Sequence, residues 1–207
     1  VRIRTVVGGS LTAVAIAAGT TLGAGALTGT FTEVEPAVPD GFVSGSAIND
    51  AGQSTGLAEF ASGMRGYVRE ADGSYTELAP LGGETFSQGQ AINDAGDVVG
   101  GSGSSAVLWE AGGAPTDLGM LPGDTASVAE DINDSGWIVG TSNGAGGYHA
   151  WARDPDVGTP VDMGTIGGAT VVQAAAINNA GVAVGRALVA GEWAPFRWTE
   201  ADGIEAL

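Results

Sequence analysis

The chain has no cysteine, no lysine and a single histidine, His149, in 207 residues. The first absence removes a disulfide framework, a thiolate zinc site and a cysteine nucleophile, and the second removes Schiff-base chemistry. Basic charge is scarce as well: seven arginines stand against 24 acidic residues, for a formal net charge of −17. Two of those arginines, Arg2 and Arg4, sit at the very start, so the remainder is more acidic still. Such a surface repels phosphate backbones and anionic membranes, which argues against a nucleic-acid partner and leaves cations and basic partners open. No glycine run precedes a Lys-Ser/Thr pair, so a phosphate-cradling loop is excluded too. Charged residues amount to only 15% of the chain, while 43% are apolar and 37 are glycine. That is too apolar for disorder and too rich in glycine for a helical bundle, and it fits many short strands joined by turns.

The N-terminus speaks to compartment. A basic start, Val1-Arg2-Ile3-Arg4, leads into an uncharged stretch centred on Leu11 to Ala18, which closes on the small-residue sequence Ala24-Gly25-Ala26. These parts make a secretory signal peptide over residues 1–26, expected as an apolar helix, with 27–33 as linker and 34–207 as the folded domain. The competing expectation is an uncleaved membrane anchor, since the stretch is long enough to span a bilayer. The mature protein is thus expected outside the cell, with membrane contact only if the segment is retained.

The body is a repeat. Ala47-Ile48-Asn49-Asp50-Ala51-Gly52 recurs at Ala91 to Gly96, Asp131 to Gly136 and Ala176 to Gly181, placing the isoleucines 44, 40 and 45 residues apart. A period near 43 residues fits a four-stranded propeller blade and is too long for a β-helix coil. Fourteen residues before each isoleucine lies an apolar residue: Val34, Leu78, Leu118 and Met163. A second column, Tyr67, Val107, Trp151 and Phe196, is followed two residues later by Arg69, Trp109, Arg153 and Trp198, the spacing of one strand face. The expected fold is all-β: a propeller-like array of about four four-stranded units. The first and last units are each cut at the same column, an arrangement that lets them meet in one blade, so closure within one chain is favoured over an open array or a ring completed by a second chain.

The repeated turn has a mechanical reading. Asn49, Asn93, Asn133 and Asn178 bond a side-chain oxygen to the backbone two residues on, and Gly52, Gly96, Gly136 and Gly181 supply a positive φ. The competing reading is a cation site, with calcium as the cofactor, at Asp50, Asp94 and Asp134; the fourth copy carries Asn179 instead.

Together, Ala-Ile-Asn-Asp-x-Gly, the strand His149-Ala150-Trp151, and Leu118-Gly119-Met120-Leu121 or Met163-Gly164-Thr165-Ile166 resemble the HAF-repeat extracellular proteins of bacteria. The resemblance runs from Val34 to Leu207 and implies a secreted, propeller-like repeat protein. The name-giving tripeptide survives once. Arg65-Gly66-Tyr67, Ser105-Ala106-Val107 and Ala194-Pro195-Phe196 replace it elsewhere, which tells against any role common to all repeats that needs histidine.

One histidine leaves little nucleophilic chemistry, and a Ser-His-Asp triad would have to use His149. Carboxylates remain, and one column holds Asp40, Glu84 and Asp124, with Ala169 in the fourth copy. These three are the candidates for a glycosidase-type pair or a ligand contact. Trp193, read as lying in a loop, is the candidate aromatic platform for a sugar, whereas Trp109 and Trp198 are expected to pack between blades. The leading expectation is a secreted, non-enzymatic binding or structural module that meets a surface protein or glycan and needs no cofactor. The alternative is a small carbohydrate-active hydrolase that uses the repeat carboxylates.

Overall fold

A computed structural model describes residues 41–207. The expected signal helix, the linker, Val34 and Asp40 lie outside the described residues. Strands β1 (Val43–Ile48), β2 (Ser54–Phe60), β3 (Gly63–Arg69) and β4 (Tyr75–Leu78) pair in chain order as one antiparallel sheet. The pattern recurs in β5 (Ser87–Ile92) to β8 (Pro115–Gly119), β9 (Asp124–Ile132) to β12 (Val161–Asp162) and β13 (Val172–Ile177) to β16 (Gly203–Ala206). Four sheets of four strands are the expected units.

Hydrophobic columns explain how the sheets stack. Ile92 packs with Val68 and Leu78 of the first sheet and with Val98, Val107 and Trp109 of its own. Ile132 and Trp151 meet Val99, Leu108 and Leu118 of the second sheet, and Ile177, Phe196 and Trp198 meet Val139, Ala152 and Met163 of the third. Each junction therefore buries the isoleucine of one unit against the Leu or Met column of the unit before. At about 25 cal/mol per Å² of apolar surface, each fully buried side chain of this size contributes roughly 1.5–3 kcal/mol. First strands of successive sheets touch one another, β1 on β5, β5 on β9 and β9 on β13, which fixes the first strand as the inner one and the fourth as the outer.

Close approach is bought with glycine in the second strand. A Cβ at Gly100 would lie 2.0 Å from the Gln88 carbonyl oxygen, and at Gly56 it would lie 1.9 Å from that of Ser44. Both stand opposite a bulge in the inner strand, at Gln90 and Ser46, which the register shift marks. Packing of this kind joins first to second, second to third and third to fourth sheet. No comparable packing joins fourth to first among the described residues.

Candidate functional site

The repeated turn folds as its residues require. Asn93 Oδ1 accepts from the backbone N–H groups of Ala95 and Asp97, and Gly96 closes the turn at φ 84°. Gly52, Gly136 and Gly181 repeat that conformation at 79°, 82° and 74°. The structure adds a feature invisible in one repeat alone. Asn49 Nδ2 donates to the Asn93 carbonyl at 2.9 Å, Asn93 Nδ2 to that of Asn133 at 3.4 Å, and Asn133 Nδ2 to that of Asn178 at 3.0 Å. In parallel, the backbone N–H of Asp50 donates to Asp94 Oδ1, that of Asp94 to Asp134 Oδ1, and that of Asp134 to Asn179 Oδ1. Asp94 and Asp134, two of the three aspartates read as cation ligands, thus serve as acceptors in a ladder between sheets, and Asp50 enters it only through its backbone N–H. Asn179 serves as well as aspartate there, because only one side-chain oxygen is needed. Among the described residues, no group of three or more His, Asp or Glu side chains is arranged to hold a metal ion.

Two members of the acidic column, Glu84 and Asp124, lie among the described residues. Glu84 is an exposed turn residue near Gly103, and Ala169 is buried. Asp124 is different: its side chain is only 3% exposed, 3.0 Å from His149 Nδ1, and it accepts from the Ser142 hydroxyl. Burial pulls this carboxyl upward, but the Ser142 hydroxyl and the His149 ring outweigh it and hold Asp124 below the usual aspartate range. The three residue types of a hydrolytic triad are present in the wrong order. The serine hydroxyl is given to the aspartate, whereas nucleophilic catalysis needs it on the far nitrogen of the histidine. The cluster ties the start of β9 to β10 (Ile138–Gly144) and β11 (Gly147–Arg153).

A groove of about 600 Å³ opens over the outward face of the fourth sheet, with Glu130, Gln173, Val184, Arg186, Pro195 and Leu207 among its lining. Burial raises the carboxyl of Glu130 above its ordinary value. Beside the groove, the Arg186 guanidinium lies 4.4 Å from the centre of the Trp193 ring, and Arg186 Nε donates to Gln173 Oε1. Trp193 is 50% exposed and stands in β15 (Glu192–Thr199), not in a loop. The Ala190-Gly191 turn before it is so tight that pairing begins at Glu192. Trp109 and Trp198 are buried, as inter-blade packing requires.

This face is uncovered in a way its counterparts are not. Thr55, Val99 and Val139 are fully buried, whereas Val184 at the same position is 40% exposed. Leu78, Leu118 and Met163 are at most 3% exposed, whereas Leu207 is 72% exposed. Sequence reasoning missed this groove because the columns are identical in kind in all four units.

No family model matches the chain, and no curated protein matches it. Among solved structures it is similar to the crystal structure of TolB from Acinetobacter baumannii, at 12% identity with a TM-score of 0.59. The match covers 80% of this chain and spans 43% of that one. At this identity the likeness concerns the fold alone, and it agrees with a β-propeller-like array.

Proposed function

We propose that the chain is a non-enzymatic β-repeat binding module of the cell surface, and that its recognition face is the uncovered side of the fourth sheet. The observation that carries this reading is the exposure of Val184 and Leu207 at positions buried in every other unit. A contiguous apolar face rimmed by polar groups marks an interaction site, and here Glu130, Arg186 and Gln173 supply the polar rim. Location outside the cytoplasm rests on the signal-like residues 1–26 and on the resemblance to HAF-repeat proteins. The hydrolase alternative draws little support from Asp124, since a general acid needs a raised pKa and this carboxyl is held down.

The reading is tested by presenting cell-wall glycans, calcium and purified surface proteins to the full chain and following its melting temperature. A ligand that stabilises the wild type and loses its effect with Val184→Asp supports the assignment. A ligand whose effect is untouched by Val184→Asp places recognition elsewhere.

A further inference from the structure

A cleft of about 360 Å³ opens between the third and fourth sheets, beside the repeated turns. Both walls belong to the described array: Ser135 and Trp137 come from the third unit, and Ala180, Gly181, Thr199 and Glu200 from the fourth. Its volume lies toward the lower end of the ~300–1,000 Å³ common for small-molecule sites. The two preceding junctions are filled at the same place. At the first, the Gln53 amide reaches the next unit's turn, where a Cβ on Gly96 would meet its Oε1 at 3.2 Å, and Asn49 and Glu70 hold that amide. At the second, the Pro155 ring covers Gly136, 3.4 Å from where a Cβ would stand. At the third, a Cβ on Gly181 would find nothing within 4 Å.

Two replacements open this cleft and equip it. Trp137 stands four residues after the turn asparagine, where the first two units carry Gln53 and Asp97. Its ring leans on the buried Trp198 of the fourth sheet, with centroids 6.2 Å apart and planes at 52°, and leaves the space beside Gly181 free. The indole remains part-exposed, and its Nε1 donates to no described group. Glu200 stands two residues after Trp198, the place that Pro155 takes after Arg153. Its carboxylate is exposed and has no described partner, and the same holds for the Ser135 hydroxyl. The cleft thus presents an aromatic wall, a free donor and a free acceptor.

We infer that this cleft between the third and fourth sheets binds a neutral sugar residue, with Trp137 and Glu200 as its main contacts. A sugar ring has an apolar C–H face and a rim of hydroxyls, each of which both donates and accepts. The C–H face packs on the exposed part of the Trp137 indole, whose polar edge stays available for a hydrogen bond. One hydroxyl accepts from Trp137 Nε1, another donates to the Glu200 carboxylate, and the Ser135 hydroxyl does either. A guanidinium or ammonium ion would suit the carboxylate but brings no acceptor for the indole N–H. Acidic sugars are disfavoured by the net charge of −17. The site goes beyond the fourth-sheet recognition face and shares no lining residue with the groove there.

The test titrates the full chain with glucose, galactose, mannose and N-acetylglucosamine, and with disaccharides of each, by calorimetry and tryptophan fluorescence. The expected result is that at least one of these sugars binds and shifts the emission. A disaccharide that binds more tightly than its monomer identifies a glycan as the source, and equal affinities identify a free sugar. Trp137→Gln, which restores the residue type of the first unit, should abolish binding. Glu200→Ala should weaken it about tenfold, as loss of a hydrogen bond to a charged group does. Glu200 is an exposed loop residue, so that variant keeps the test decisive even if Trp137→Gln fails to fold. Val184→Asp should leave the sugar affinity unchanged. Failure of every neutral sugar to bind overturns the inference, and so does binding that Glu200→Ala leaves intact. Binding of arginine methyl ester or glucuronate in place of the neutral sugars overturns it too. A sugar lost with Val184→Asp but kept with Glu200→Ala belongs to the fourth-sheet groove, which would then stand while this cleft would not.

Discussion

Asn133 and Asn178 occupy the same place in successive repeats, and replacing each by alanine separates the turn from the ladder. Both side chains accept two backbone N–H bonds at 3.0 Å, from Ser135 and Trp137 in one case and from Ala180 and Val182 in the other. Asn133 makes one bond more, from Nδ2 to the Asn178 carbonyl, and is only 4% exposed, whereas Asn178 is exposed and donates to no described group. A hydrogen bond contributes about 1 kcal/mol net, and a buried polar group left without a partner costs about 1–3 kcal/mol. Asn133→Ala should thus cost about 3 kcal/mol, while Asn178→Ala, whose freed donors meet water, should cost about 1 kcal/mol. Equilibrium urea unfolding followed by tryptophan fluorescence measures the difference. With a slope near 2 kcal/mol per molar, the two midpoints should lie about 1 M apart. Equal midpoints for the two alanine variants would refute the ladder as a source of stability and leave the asparagine a turn former alone.

Asp124 is held below its ordinary pKa of 3.8, so its contribution to stability is complete above that value and is lost as pH falls through the lower folded one. Acid unfolding of Asp124→Asn should therefore show a shallower pH dependence below 3.8 than the wild type, and an unchanged profile would sink the assignment. Glu130 has the opposite sign: its carboxyl is raised from 4.5 by burial, so ionisation opposes folding increasingly as pH climbs past that value. Glu130→Gln should raise the melting temperature at neutral pH and leave it nearly unchanged at pH 4, a difference that differential scanning fluorimetry reads directly. Gly100→Ala forces a Cβ to within 2.0 Å of a backbone oxygen and should cost at least about 3 kcal/mol or prevent folding, whereas alanine at Gly123, with nothing near its Cβ, meets only the strain of φ 93°. Circular dichroism melts of the two variants separate the effects.

How much was legible follows the range of each interaction. The turn was readable because asparagine and glycine act on a backbone at most four residues away. The sheet count was readable because strand faces alternate locally and the columns recur at fixed offsets. The ladder was not, since its partners lie 44, 40 and 45 residues apart and the aspartates look the same whether they bind a cation or a neighbouring N–H. Asp124 and His149 were each noticed for other reasons. Their contact, across 25 residues, depends on how β9 and β11 flank β10, which no single strand reveals. Trp193 was misplaced because the turn is two residues here, Ala190-Gly191, as in every other copy, and the extra length goes into the strand, eight residues in Glu192–Thr199 against five in Ser105–Trp109.

Direction is the property that ties these findings together. A sheet face packed by apolar side chains alone would accept either face of another sheet, because burial has no polarity. The ladder does have polarity: each turn gives an N–H and an amide N–H forward, and receives both from behind. It therefore allows only head-to-tail stacking, in a single register, since a sheet displaced along its neighbour would strand both donors. The four-times repeated Ala-Ile-Asn-Asp-x-Gly phrase meets both requirements in adjacent residues. Its isoleucine fills the neighbouring sheet's column, and its Asn-Asp pair sets which sheet that neighbour can be.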